Sequence, residues 1–436
     1  MFEKEMQMSS GKKIFNLSSI SIIACECLQA VVCIFVDLFF ISRILNNPFA
    51  SVGSNIINIG LFYIINYTMV GLFYLVSGHL LKRINKSIFV SVGSIILTLV
   101  VLIVYLMGDD VLNHIPLLGV IYGLALGFFS AGFHGLTGET ISSKHQVRFF
   151  AVKKGVYQLT YIIFPVTLGL IIDKLNFSFM LIILLVICVL LVMFSFFIRP
   201  KKSFGQTFNL IKFARHLKQN KEETKPLFLV YVSNFFRGAS FDCFTTLITI
   251  FVMSTFKSNT SLGMFQSIFT ACSLLTMVFY LKYYRKKRAT KFILPTIILV
   301  ACTVISILIA TNETTIICFY AIYSTLNVIL MSISDSRRAG VIRVLSLHSH
   351  ILESNTFSEL FLWLGRIISS SLIILAGFLD SYLSTDMLFL KIVLGIVAIF
   401  YIFYGISLIW VEKALIKQDE EFKKVHINEV VEKNED

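Results

Sequence analysis

Residues 199–225, RPKKSFGQTFNLIKFARHLKQNKEETK, carry eight Lys or Arg and no run of more than two apolar side chains. This is the longest polar break in the chain. On either side the sequence is built from apolar runs of membrane-spanning length, since a hydrocarbon layer of roughly 30 Å takes about 20 helical residues. Six runs precede the break, at 15–43, 56–81, 87–107, 115–138, 155–173 and 177–198, and six follow it, at 227–255, 262–284, 291–311, 315–335, 357–379 and 386–412. Uniformly apolar segments of this length satisfy their backbone groups in lipid as helices. The expected fold is an all-α polytopic membrane protein with twelve transmembrane helices in two six-helix bundles. The alternative with fewer spans makes the run around Leu360 a re-entrant segment. The corresponding units are 1–198 for the first bundle, 199–225 for a basic linker, 226–413 for the second bundle and 414–436 for a charged tail.

Composition and charge agree with that division. Hydrophobic residues make up 56% of the chain and charged residues only 14%, too apolar for a water-soluble chain of this size. The first run contains Glu26 and Asp37 and lacks the small-residue cleavage site of a secretory signal, so it reads as a permanent span. With both termini cytoplasmic, the inward-facing segments hold 32 of the 38 Lys and Arg; Arg43, Lys174, Lys257 and Lys391 fall outside, and Arg237 and Arg366 fall within spans. This is the positive-inside asymmetry of a multi-pass plasma-membrane protein. The net charge of +13 is therefore a topology signal that also suits anionic lipid headgroups, and nucleic acid is not an expected partner. Within the linker, Phe208, Ile211, Lys212 and Arg215 stand at helical spacing, which suits a short helix lying on the membrane surface; an ordinary basic linker is the other reading. All eight cysteines lie in spans. Cys25 and Cys27 point to opposite sides of a helix, and no disulfide framework or metal site follows.

After the second span stands Gly78-His79-Leu80-Leu81-Lys82-Arg83-Ile84-Asn85-Lys86, which resembles the loop signature of the major facilitator superfamily. Gly78, Arg83 and Lys86 match; Lys82 occupies the usual Asp position and Asn85 the second Gly. The counterpart in the second half, Tyr280 to Arg288, keeps basic residues at Arg285 and Arg288 and loses the glycine. In the family this loop latches the cytoplasmic side, which gives Arg83 a gating role by resemblance. The fifth span, Tyr161-Ile162-Ile163-Phe164-Pro165-Val166-Thr167-Leu168-Gly169, is similar to the Pro and Gly pattern of antiporters in that superfamily. Pro165 removes a helical hydrogen bond and is expected to bend the span. The resemblance implies a central cavity lined by the first and seventh spans.

A transporter shows its function in costly intramembrane polar groups. Glu26, Gln29, Cys33 and Asp37 share one face of the first span. Asn234 and Arg237 share a side of the seventh, with Asp242 further round. Glu26 is the carboxylate best placed for proton coupling, and Arg237 is expected to meet it, directly or through water, in at least one conformation; a structural ion pair is the alternative. Glu359 and Arg366 lie on one stripe of the eleventh span, where Arg366 pairs with Glu359 or with Asp242. His134 lies on a polar face of the fourth span and Asn327 on one in the tenth. Glu139 with Arg148, and Asp335 with Arg343, occupy matching places at the cytoplasmic ends of the two halves and read as paired latches. Asp109, Asp110, Asn113 and His114 read as a solvated external turn.

No phosphate-binding loop, nucleophile elbow or zinc-binding helix motif is present, so neither ATP-driven transport nor enzyme chemistry is expected, nor any cofactor. The leading expectation is a monomeric secondary transporter that exports a small hydrophobic or amphipathic molecule in exchange for protons. The alternatives are import of a small polar or anionic solute anchored by Arg237, and a lipid flippase or non-transporting membrane protein with this fold.

Overall fold

Apolar runs without a polar break dictate the architecture, because each must close its own hydrogen bonds where water is missing. The computed structural model describes residues 16–81, 83–140, 143–199, 208–283, 290–345, 351–385 and 387–435. The side chains of His134, Glu139, Arg148 and Arg343 lie outside that description. The first bundle comprises α1 (Leu17–Leu45), α2 (Val52–Leu80), α3 (Lys86–Met107), α4 (Ile115–Thr140), α5 (Ser143–Lys174) and α6 (Phe177–Phe196). A linker helix, α7 (Leu210–Gln219), precedes the second bundle: α8 (Lys221–Phe256), α9 (Asn259–Tyr283), α10 (Thr290–Ile309), α11 (Glu313–Val344), α12 (Ile351–Tyr382) and α13 (Leu388–Glu435). Twelve of these helices are long and apolar enough to cross a membrane, matching the expected count. An even number of spans in each half puts the linker and both termini at one end, the linker end, opposite a far end. Several helices extend past their expected spans: α5 begins at Ser143 rather than at 155, α8 begins inside the expected linker, and α13 runs on through the expected tail as continuous helix to Glu435.

Local sequence starts the helices where side-chain acceptors are available. Asn16, Ser51, Asn176 and Asn209 accept from the backbone N–H three residues on, at 2.8, 3.2, 2.6 and 3.0 Å, which satisfies an otherwise orphaned donor. Large apolar side chains such as Leu106, Met193, Phe279 and Leu375 face outward, as a lipid-facing surface requires.

The two bundles are assembled by the same rule. In the first, α2 packs on α4, α3 on α4 and α6, and α1 on α5 and α6; in the second, α9 packs on α11, α10 on α11 and α13, and α8 on α12 and α13. Each pairing in one half has its counterpart six spans later, as structural repeats should. The halves then meet along two seams, α2 with α12 and α5 with α9.

Small residues make these approaches close, because lipid offers no hydrophobic drive between helices and contact must come from fit. A Cβ added at Gly53 would stand 2.6 Å from the Gly377 carbonyl, and one at Gly71 2.6 Å from the Trp363 ring. On the other seam a Cβ at Gly169 or Gly263 would lie 2.4 or 2.1 Å from the Asn259 or Pro165 carbonyl. Within the second bundle α8 and α12 interlock through Gly238 and Gly365, each 2.1 Å by the same measure from a carbonyl of the other helix. Gly365→Ala is therefore expected to cost about 1–3 kcal/mol through overpacking and to lower the melting temperature of the purified protein. Gly395→Ala, whose new methyl would meet only Leu308 at 3.6 Å, is expected to leave it unchanged or higher in the same thermal-melt measurement.

Candidate functional site

α1 is an ordinary helix to Ile34, winds as a π-helix over Phe35–Phe40, and returns to α geometry for Ile41–Leu45. Such wide turns insert an extra residue and are frequent at functional sites. Asp37 lies inside this one. Its Oδ1 accepts a 3.4 Å hydrogen bond from the Tyr63 hydroxyl of α2, and Tyr63 also lies beside Thr246 of α8. Tyr63 stacks on Tyr67 with centroids 5.5 Å apart, and the Arg366 guanidinium of α12 rests 4.8 Å from the centre of the Tyr67 ring. Arg366 closes the cluster with a two-pronged pair to Asp242 of α8, Nε to Oδ2 at 2.7 Å and Nη2 to Oδ1 at 3.3 Å.

The cluster thus joins two helices of each half and holds two carboxylates against one guanidinium. Among the described residues Asp37 is in no ion pair; it shares the field of Asp242 and Arg366 without bonding to either. An uncompensated carboxylate at this depth is expensive. A proton or a cationic ligand is what would balance it.

Nearer the linker end the charged residues of α1 and α8 find partners inside their own halves. Glu26 Oε1 meets Lys153 Nζ at 3.1 Å, with the ammonium 4.9 Å from the centre of the Phe133 ring. Arg237 Nη1 meets Asp335 Oδ1 at 3.5 Å, the Asp335 side chain remaining 71% exposed. The expected meeting of Glu26 with Arg237 is not made in this conformation. The physical reason is the length of α5: it starts at Ser143, so Lys153, assigned from sequence to a loop, stands on a helix beside Glu26. Of the two partners expected for Arg366, Asp242 bonds to it directly, while Glu359 acts on it only through its field, as it does on Tyr74.

The other sequence-derived positions separate. Gln29 donates to the Cys33 sulfur at 2.9 Å. Asn234 donates to Ser358 at 2.5 Å and Asn327 accepts from Tyr401 at 3.5 Å; both are buried within the second bundle. Arg83 is exposed. α5 is continuous helix through Pro165, which sits on the seam with α9, where Ser267 Oγ accepts from the Val166 N–H at 3.2 Å. Helix α7 exists, but its Phe213 is buried against Phe357 at 5.6 Å. Asp109, Asp110, Asn113 and His114 are exposed, as expected of a solvated turn, and Asp109 also pairs with Arg43.

At the far end the halves are bridged by a carboxylate that sequence reading passed over. Asp173, at the end of α5, accepts from Ser258 Oγ at 3.0 Å, Asn259 Nδ2 at 2.9 Å and the Thr260 N–H at 2.8 Å, capping the start of α9 in the other half. Ser42 of α1 adds a 2.8 Å bond to Asn259 Oδ1. Sequence reading also passed over Tyr63, Tyr67 and Tyr74, whose helical spacing on α2 was the signal that would have found them. Asp173 carried no signal in its own sequence, because its partners lie more than eighty residues away.

Two repeats that meet along glycine seams, bridged by hydrogen bonds at the far end and holding an unbalanced carboxylate between them, are the architecture of a secondary transporter. The chain belongs to the Major Facilitator Superfamily, whose family model matches residues 23–347. A solved structure of a mutant of the nucleoside transporter NupG superposes with a TM-score of 0.63 at 14% identity, covering 91% of this chain and 100% of that one. The uncharacterized protein YqgE of Bacillus subtilis (strain 168) is 26% identical over 269 residues, 59% of this chain and 61% of that protein, so the match spans less than two thirds of its length.

If the Asp242–Arg366 pair holds α8 to α12, removing one charge strands the other. Asp242→Asn and Arg366→Gln are each expected to destabilise by about 1–3 kcal/mol, less than the roughly 3–5 kcal/mol of a fully buried pair because the two side chains keep 20% and 24% of their surface exposed. The double variant is expected to melt above either single one, and additive losses in a double-mutant cycle would refute the coupling.

Proposed function

We propose that this chain is a proton-coupled exporter of small hydrophobic or amphipathic molecules. It acts as a monomer in the plasma membrane, with both termini and the linker in the cytoplasm. The observation that carries the reading is Asp37, a carboxylate between the halves whose charge no described side chain pairs with. Protonation on one side and release on the other would change the charge of the α1–α2–α8–α12 cluster by one unit without breaking the Asp242–Arg366 pair. Glu26 is preferred for coupling on sequence grounds, but its bond to Lys153 suits a gate within the first half, and the coupling role passes to Asp37. Asp173 and the two seams would form the external closure that proton binding releases.

Export is favoured over import of an anion because both intramembrane arginines already face carboxylates, Asp335 and Asp242. The stacked Tyr63 and Tyr67 beside Asp37 suit a flat or amphipathic guest, since an aromatic face and a nearby negative charge both attract cations. NupG is a nucleoside transporter, so a neutral nucleoside is the competing substrate class.

The test uses proteoliposomes loaded acid inside, with ethidium, tetraphenylphosphonium and uridine as probes and lumenal pH as the readout. Ethidium or tetraphenylphosphonium is expected to accelerate proton efflux, with uridine inert. Asp37→Asn is expected to reduce that efflux to the level of empty liposomes while the protein melts as the wild type does. Undiminished probe-driven efflux from the variant would remove Asp37 from coupling, and a response to uridine alone would replace the substrate class. Orientation is tested separately. A cysteine introduced by Gln206→Cys in a cysteine-free background is expected to react with an impermeant maleimide in inside-out vesicles and not in intact cells.

A further inference from the structure

A cavity of about 630 Å³ opens between the first turns of α8 and the linker-end turns of α13, outside the cluster described above. Its walls are two matching stripes. Glu222, Lys225, Pro226 and Leu229 recur at helical spacing on α8, and Trp410, Lys413, Ala414 and Lys417 recur on α13, each set on one helical face. The two helices run in opposite directions, so both stripes grade in the same sense. Leu229 and Trp410 lie deepest in the spans, Pro226 and Ala414 follow, and the charged residues ring the linker end.

Three ammonium groups, of Lys225, Lys413 and Lys417, face two carboxylates, of Glu222 and Glu223. The carboxylates occupy the first turn of α8, where the positive end of the helix dipole already offsets part of their charge. The rim is therefore net positive. Trp410 is 48% exposed, and the neighbouring Phe228 and Ile416 are 56% and 45% exposed. Bulky apolar side chains left uncovered beside a span put the mouth of the cavity on the lipid-facing surface, and an indole at that level is a usual anchor at the membrane boundary. The volume falls in the ordinary range for a small-molecule site.

We propose that this groove is a binding site for an anionic phospholipid, with the headgroup phosphate among Lys225, Lys413 and Lys417 and an acyl chain descending past Trp410 and Leu229. A soluble anion would use the lysines alone and leave the apolar floor unfilled. A zwitterionic lipid would use the floor but gain little from the rim, because its own cation would face the lysines. Basic pockets between spans at a membrane surface are the setting in which acidic headgroups are recognised. The site is independent of the transport reading, since it lies on the outer side of the second bundle and shares no residue with the Asp37 cluster.

Native mass spectrometry of the full-length protein tests it, titrating phosphatidylglycerol and, in parallel, phosphatidylcholine. Wild type is expected to retain phosphatidylglycerol selectively. The combined Lys225→Gln, Lys413→Gln and Lys417→Gln variant is expected to bind it roughly a hundredfold more weakly, with phosphatidylcholine binding unchanged. If the triple variant does not fold, Lys413→Gln alone is expected to weaken binding about fivefold. Equal phosphatidylglycerol retention by wild type and variant overturns the proposal. So does displacement of the lipid by millimolar inorganic phosphate, which would make the groove a soluble-anion site.

Discussion

Backbone-to-backbone contact between helices of opposite halves is the constraint on which the rest of this molecule depends. In water two amphipathic faces would be driven together by their apolar surface; in hydrocarbon they gain almost nothing that way and must fit instead. Gly53 against Gly377, and Gly169 and Gly263 against the carbonyls they meet, bring α2 to α12 and α5 to α9 at distances no larger residue would allow. Those distances place the shorter polar side chains within reach. Tyr63 of α2 touches both Asp37 of α1 and Thr246 of α8, and Asp173 of α5 collects three donors from the start of α9. Widen either seam by a methyl group and these bonds are lost before any charged residue is altered.

The charges are divided between two duties. Glu26 with Lys153, Arg237 with Asp335, and buried Arg337 with Glu412 at 2.9 Å each stay within one half, so they travel with their bundle and need not break when the halves move. Asp37 and the Asp242–Arg366 pair face each other across the halves, where relative motion alters the field each feels. Polar groups in membrane interiors are rare because they are costly. Among the described residues the charges of Glu26, Arg237, Arg337 and Arg366 are each offset by a paired side chain, while Asp37 is in no ion pair.

The span count, the division into two halves and the identity of the intramembrane charges were legible from residue order, because each rests on a local property: apolar length, a basic break, or a charge inside an apolar run. Partners were not legible. Arg366 had two reasonable carboxylates, and only the rotation of α12 against α8 selects Asp242. Glu26 and Arg237 looked opposed because symmetry relates their helices, yet symmetry says nothing about which neighbour within each half arrives first. Lys153 was hidden by a boundary set twelve residues late, hydropathy being blind to the basic first turns of a helix that begins outside the bilayer. Pro165 was read for its effect on its own helix, and its carbonyl also makes, with the glycine opposite it, a surface for another.

The π-helical turn at Phe35–Phe40 sets a limit on how α1 can move. Its far end is tied to α9 through Ser42, and its linker end is held by Ser18, whose hydroxyl accepts from the Arg199 N–H at 3.0 Å. A helix pinned at both ends cannot shed a surplus residue by straightening. It can only hand the surplus along, as a dislocation passes through a crystal row, and each step turns the side chains it crosses by about 100°. Any rotation of Asp37 relative to the ends of its own helix would therefore be granular, moving between discrete settings.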